Sequence, residues 1–295
     1  MFSIVYNKSM IIWVASYPKS GNTWIRSLLS SYLFSSNGEF NFKLLDNIEQ
    51  FSSSNITSED TKKIHYQDRI SRNWIPSQKI INKDKKTRLF KTHNAMCSIN
   101  GNNFTDKLNT LAVIYIVRDP RNLVMSLSHH YELDIEEAFT FLSNKRKIIF
   151  PIDIQGKKNI KSDPEDFNFL SDWSSHYNSW KNIKFCPIKI VKYEDILMDP
   201  KKNFKSILEF LSNFLKFEIK EDKIDSAITS TSFNRLSSLE EKDGFIESAT
   251  SKKTKKKIKF FNLGEKNKWQ EKLNSEIVKK IENTFRDEMK ELNYL

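Results

Sequence analysis

Cysteine is nearly absent from this sequence: Cys97 and Cys186 are the only two in 295 residues. They stand in no CxxC spacing, which excludes a thiol-based metal site and points to a reducing, cytoplasmic compartment. Long apolar runs are missing too. No stretch approaches the roughly 18 residues that a membrane-spanning helix needs. The opening MFSIVYNKSM is too short and too polar for a secretory signal. Met10 directly precedes the first apolar run, so residues 1–9 read as an extension or an alternative start. Six glycines and seven prolines are too few for a fibrous or disordered chain. No repeat period is visible.

Apolar residues are plentiful, at 38% with 22 phenylalanines, enough for a sizeable core. The length allows one large domain or two small ones. A formal net charge of +11 implies an anionic partner such as a nucleotide, a nucleic acid, an acidic substrate or a membrane surface. The lysines come with abundant Asn and Ile, a pattern that base composition alone also produces. Charge by itself therefore selects no function.

Three β-branched apolar runs stand out: IIWVA (11–15), LAVIYIV (111–117) and IKIVKY (188–193), with a shorter fourth, RLFKTH (88–93). None alternates polar with apolar, so the spacing predicts parallel strands covered on both faces. Helical patterns lie between them at 23–34, 121–131 and 200–215, where Pro200 suits a first helical turn. The C-terminal segment places Ile277, Ile281, Phe285 and Met289 four apart on one helical face. The predicted fold is α/β, a three-layer sandwich with a central, mostly parallel sheet flanked by helices. It forms one domain over 1–295. The polar regions 35–87 and 143–170 resist assignment, and insertions of this kind sit over the carboxyl ends of strands, where ligands bind. They are the expected walls of a substrate pocket. The run KKTKKK (252–257) reads as a solvated loop or as a lid over an anion.

Strand, tight turn and helix meet in WVASYPKSGNTWIR, residues 13–26, a layout that holds phosphates. The phosphate-loop consensus GxxxxGK[ST] would place Gly at 16 and Lys at 22, where Ser16 and Asn22 stand. The lysine comes three residues early, as Lys19. Gly21 still permits the turn, and Thr23 still offers a hydroxyl. An ATPase would end a neighbouring strand in Asp to position Mg²⁺, but LAVIYIV ends in Arg118. The pattern fits direct anion binding with no metal.

YPKSGNTW (17–24) resembles the 5′-phosphosulfate loop of sulfotransferases that use 3′-phosphoadenosine 5′-phosphosulfate (PAPS). IVRDPRNLVMSLSHHY (116–131) is similar to that family's 3′-phosphate site, with an Arg ending the strand and a Ser eight residues on. The resemblance implies a P-loop-like fold and a PAPS-dependent sulfotransferase releasing 3′,5′-ADP (PAP), with no metal. It assigns cofactor contacts to Lys19, Ser20, Gly21, Asn22, Thr23 and Trp24 of the loop and to Arg118 and Ser126. An alternative for Arg118 is a strand-end salt bridge with Asp119. KYEDILMDP (192–200) carries over Tyr193 as a neighbour of the adenine, and TSF (231–233) carries over Ser232 and Phe233. The family's pattern that closes over the 3′-phosphate, similar to R-K-G-x-x-G-x-W, survives in FFNLGEKNKW (260–269) as Gly264 and Trp269. The resemblance thus places Asn262, Leu263 and Gly264 at the cofactor, with the Gly264 backbone NH on the phosphate. Asn262 and Leu263 replace its Arg and Lys, and Asn267 its second Gly. Lys259, Lys266 or the 252–257 run are then the candidates for supplying the charge.

FKTHNAM resembles the family's K-T-H segment, which makes His93 the base that deprotonates the acceptor, with a pKa near neutrality. Lys19 is placed to stabilise charge on the leaving oxygen, and Lys91 supports the transferring group. His129 and His130 face the pocket wall or solvent. The expected acceptor is a hydroxyl, or an amine, of a small molecule, glycan or lipid, with no nucleic acid partner. Oligomeric state stays open. A nucleotide kinase, a nucleic-acid binder and a non-catalytic PAP-binding protein are the alternatives.

Overall fold

The computed structural model of the chain describes residues 10–52, 64–150, 164–251 and 253–295. Residues 1–9, Lys252 of the basic run, and the stretches 53–63 and 151–163 inside the two unassigned regions lie outside them. Among the described residues, the main sheet has four strands: β1 (Ile11–Ser16), β2 (Arg88–Thr92), β3 (Thr110–Val117) and β4 (Ile188–Lys192). They lie in the order β2-β1-β3-β4 and all pairs are parallel. The expected α/β sandwich is the one observed.

The two central strands are buried at every position, as their unbroken apolar runs require. Odd-numbered residues of β1 go to one face and even-numbered ones to the other. Ile11, Trp13 and Ala15 pack with α2 (Tyr66–Ile81), α3 (Pro120–Tyr131), α4 (Ile135–Ser143), α5 (Trp173–Lys181) and the C-terminal helices. Ile12 and Val14 pack with α1 (Asn22–Phe34), α6 (Tyr193–Met198), α7 (Pro200–Ser212) and α8 (Glu221–Ser230). The C-terminal amphipathic stretch forms two helices, α10 (Ser275–Thr284) and α11 (Arg286–Glu291), after α9 (Phe233–Asp243). Ile277, Ile281, Phe285 and Met289 are all buried. A third, smaller cluster joins Phe40 and Leu45 to Leu236, Phe245 and Phe261.

Register aligns the strand ends. Ala15 pairs with Thr92 on one side and Tyr115 on the other, so Ser16, His93 and Arg118 leave the sheet at one edge. Strand order reverses about β1, since β2 lies on one side of it and β3 on the other. Ligands in open α/β sheets bind in the crevice at such a reversal. Part of region 35–87 covers the outer edge of β2: the Phe51 amide donates to the Lys91 carbonyl (2.8 Å) and the Lys91 amide to the Glu49 carbonyl (2.8 Å). That pairing leaves no open ladder beside Lys91.

Trp13 anchors the larger core. Its ring lies 5.2 Å from Phe51 and 5.1 Å from Phe104, and its indole NH donates to Thr110 Oγ1 at 2.9 Å. Trp13→Ala is therefore expected to cost about 3–5 kcal/mol, read as a lower urea midpoint. A loss under about 1 kcal/mol would contradict this packing.

Candidate functional site

Between β1 and α1 the chain turns within five residues, 17–21. Lys19 takes φ 67° and Gly21 φ 97°, both left-handed. Glycine is required at 21 for a second reason: a Cβ there would sit 2.4 Å from a Tyr193 ring carbon. The turn delivers α1 with no side-chain cap and no acid in its first turn. Its first helical bond runs from the Ile25 amide to the Gly21 carbonyl. Preceding amides and the helix dipole thus favour an anion. Asn22 turns back on β1, where its amide donates to the Val14 carbonyl (3.0 Å) and Ser16 Oγ (3.1 Å). This explains an amide at the position of the ATP-loop lysine: it fastens the turn to the strand.

Arg118 leaves β3 toward the same turn. Its Nη1 donates to the Lys19 carbonyl (3.0 Å) and to Ser126 Oγ (3.1 Å), and its guanidinium stacks 4.3 Å from the Tyr193 ring centre. Arg118 Nε is buried without a partner. A buried donor without an acceptor is costly, so it marks a place for an incoming anion. Asp119 does not pair with Arg118. It caps α3 and grips Arg121, with Arg121 Nη2 2.7 Å from its Oδ2. The strand-end salt bridge is therefore Asp119–Arg121, and Arg118 is left to the cavity.

One acidic side chain, Glu247, lines this cavity among the described residues. It accepts from Thr23 Oγ1 (2.8 Å), Arg26 Nη1 (2.6 Å) and Lys91 Nζ (3.0 Å). Burial alone would raise its carboxyl, but the Lys91 and Arg26 charges hold it well below the usual range. Lys91 is thus not a free cation, and the Thr23 hydroxyl is already spent as a donor.

His93 is 8% exposed, and its Nδ1 lies 2.8 Å from the Ser16 carbonyl. A carbonyl only accepts, so Nδ1 carries the hydrogen and Nε2 keeps the lone pair. The pKa is not near neutrality. Burial, with Lys91 adding to it, pushes the imidazole down to about 3, so the ring is neutral at physiological pH. Lys19 Nζ sits 3.6 Å above the Phe260 ring centre and 3.5 Å from His130 Nδ1. Desolvation, reinforced by Arg118 and Lys91, pushes it down to about 7.

Every residue assigned from the sequence to catalysis or cofactor contact lines this one cavity except Ser20, whose hydroxyl is buried and unpartnered. Trp269 of the closing pattern lies outside it, with its ring 4.1 Å from the Arg121 guanidinium. Tyr193 and Trp24 meet edge-on at 5.7 Å. Phe233 lies against Gly264, where a Cβ would come within 2.6 Å of its ring. Asn262 and Leu263 line the wall, where the lysines and arginines among the described lining residues are Lys19, Lys91 and Arg118. Lys259 pairs with Glu241, while 253–257 are exposed and outside the lining. Asn267 Nδ2 donates to the Asn122 carbonyl (3.0 Å) and to Ser126 Oγ (3.2 Å), which braces Ser126 against α3. His129 and His130 both line the cavity. From the two unassigned regions, only Ile149 does so among the described residues.

Sequence reasoning passed over Arg26 and Glu247, and took Asn267 only as a departure from the family's second glycine. Arg26 carried a signal, as a charge one turn after Thr23 on a helix otherwise buried on that side. Glu247 carried none, because its partners lie more than 150 residues away.

The fold, with loop, Arg118 and His93 converging at the carboxyl ends of the strands, is that of a P-loop-like α/β protein. The chain belongs to the sulfotransferase family: residues 10–293 match the family's sulfotransferase domain. This sets the kinase reading aside. Similar proteins include an amine sulfotransferase of Oryctolagus cuniculus, 23% identical over 95% of this chain and 81% of the relative. Cytosolic sulfotransferase 13 of Arabidopsis thaliana is 24% identical over 94% and 76%. Retinol dehydratase in complex with retinol and PAP shares the fold with TM-score 0.58 at 17% identity, over 96% of this chain and 82% of that one. Mouse sulfotransferase SULT7A1 complexed with PAP does so with TM-score 0.53 at 17% identity, over 95% and 85%.

Gly21→Ala forces both a strained φ and a displaced Tyr193 ring. The expected cost is about 1–3 kcal/mol, measured by chemical denaturation. A variant as stable as the parent would mean that the ring yields freely.

Proposed function

We propose that this chain transfers the sulfuryl group of PAPS to a hydroxyl or amine of a small acceptor, with His93 as general base. The observation that carries the reading is the convergence of His93, Lys19 and the Arg118–Ser126 pair on a single cavity at the carboxyl ends of the strands. Relatives named for amines and flavonols support this acceptor range.

The residues present fit the donor. Arg118 and Ser126, with Asn267 beside them, are suited to a 3′-phosphate, and the unpartnered Arg118 Nε gives that phosphate a buried donor. Trp24 and Phe233 offer aromatic surface to an adenine, with Tyr193 as its neighbour. The α1 amides and Lys19 receive the phosphosulfate. PAPS supplies an activated sulfuryl group on an anhydride bond.

Each side chain then has a physical task. His93 Nε2 accepts the acceptor's proton, and the Ser16 carbonyl keeps the ring in the tautomer that can do so. Lys19 places positive charge where negative charge builds on the leaving side, an effect worth about 2.7–4 kcal/mol when such a donor is removed. Glu247 fixes Lys91 rather than consuming it, because a carboxylate shared by Arg26, Lys91 and Thr23 leaves the cluster net positive. Sulfuryl transfer resembles phosphoryl transfer in its loose transition state, so positioning and electrostatics supply most of the rate.

The pKa values set the pH profile. His93 is active when neutral, and with its pKa lowered to about 3 it stays neutral throughout the working range. Lys19 is active when charged, and with its pKa lowered to about 7 it loses that charge as pH rises through 7 in the free enzyme. Accordingly kcat/KM for the donor is expected to be flat from pH 5 to about 6.5 and to fall above 7. Lys19→Arg should move the falling limb beyond pH 9. A limb near 6.5 that rises with pH would contradict the low His93 value. His93→Ala is expected to lower kcat by roughly 10²–10⁴, read with radiolabelled sulfate. Wild-type kcat in that variant would refute the base assignment.

A further inference from the structure

Behind His93 lies a buried relay whose two side chains, those of Tyr115 and His176, stand outside the cavity lining. His176, on α5, is fully buried, and its Nε2 lies 3.1 Å from the backbone carbonyl of His93. That carbonyl only accepts, so Nε2 of His176 carries the hydrogen and Nδ1 the lone pair. At Nδ1, 2.8 Å away, stands the hydroxyl of Tyr115 from β3, which must therefore donate. The chain runs in one direction, from Tyr115 OH to His176 to the carbonyl of His93.

Three elements meet in this chain, and each end is fixed. β2 ends at Thr92, so the His93 carbonyl is the first group beyond the parallel ladder and needs a donor from elsewhere. Tyr115 is 1% exposed and its ring stays in the sheet core. The Tyr17 ring packs edge-on against His176 at 5.4 Å, holding the imidazole plane. The His93 side chain is bound to the Ser16 carbonyl at the same time. Its ring and its peptide thus hang from two separate anchors, one on β1 and one on α5.

We propose that His176, oriented by Tyr115, is a positioning residue for the transfer: it fixes the peptide that carries His93 and so the direction of the Nε2 lone pair. This rests on His93 acting as the base. Misplacing a catalytic group by about 1 Å costs on the order of 10²-fold in rate. Burial keeps His176 neutral, pushing its pKa down to about 4, so the relay keeps its direction through the working pH range.

The test is a double-mutant cycle with kcat, PAP affinity and thermal midpoint measured for each variant. His176→Leu is expected to lower kcat roughly 10²-fold while PAP affinity stays within about twofold. His176→Gln, which keeps a donor and an acceptor, should recover most of that loss. Tyr115→Phe removes only the hydroxyl and should lower kcat about tenfold; it carries the cycle if His176→Leu does not fold. In a His93→Ala background each variant should cost less than about twofold more, because the residue it positions is gone. A loss that persists undiminished in that background, or an unchanged kcat in His176→Leu and Tyr115→Phe, overturns the positioning role. Wild-type kcat in His93→Ala alone overturns the base assignment instead, so the two failures are distinct.

Discussion

Everything at the site depends on the close approach of Gly21 to the Tyr193 ring. The chain has five residues to pass from a fully buried strand into a helix. It manages this by two left-handed residues, one of them a lysine at φ 67°. Non-glycine residues in that region carry about 1–2 kcal/mol of strain. The same turn aims the uncapped end of α1 at the point where Arg118 arrives from β3. Tyr193 closes the arrangement from a third direction, with Gly21 on one side and the Arg118 guanidinium on its ring. One residue without a side chain thus lets three strands' ends share a single focus.

Charge at that focus is balanced unusually. Lys19, Lys91, Arg26 and Arg118 bring four cations together in a buried space, and each would resist desolvation if left alone. Glu247 relieves two of them, and an aromatic face and a histidine relieve Lys19. The lowered pKa of Lys19 shows that the relief is partial. Such a site is electrostatically poised for a polyanion. Much of that positive charge sits on the sheet and loop, through Lys91, Lys19 and Arg118, rather than on the segment where Asn262 and Leu263 replace the family's Arg and Lys.

The central strands were legible because burial on both faces writes itself as an unbroken apolar run. The loop was legible because eight contiguous residues carried it, and Arg118 with Ser126 because a strand end followed eight residues later by a serine matches the family's spacing. Long-range partners were not legible. Nothing in GFIESAT marks Glu247 as the counter-ion of residues on α1 and β2, since sequence distance hides a contact made through the fold. His93 was located correctly at a strand end, but its pKa was not, because desolvation depends on walls contributed by distant elements. Regions 35–87 and 143–170 left the weakest trace: polar stretches without period say little about shape, and Ile149 alone of their described residues reaches the cavity.

The central claim is that this site binds a nucleotide bisphosphate directly through its cations. Isothermal titration of the full chain with PAP, with and without EDTA, and with Mg·ATP as the comparison, tests it most directly. The account predicts tight PAP binding that EDTA leaves unchanged, at least about 10²-fold weaker Mg·ATP binding, and a loss of roughly 2 kcal/mol or more on Arg118→Ala. Metal-dependent ATP binding stronger than that of PAP, or PAP affinity indifferent to Arg118, would contradict it.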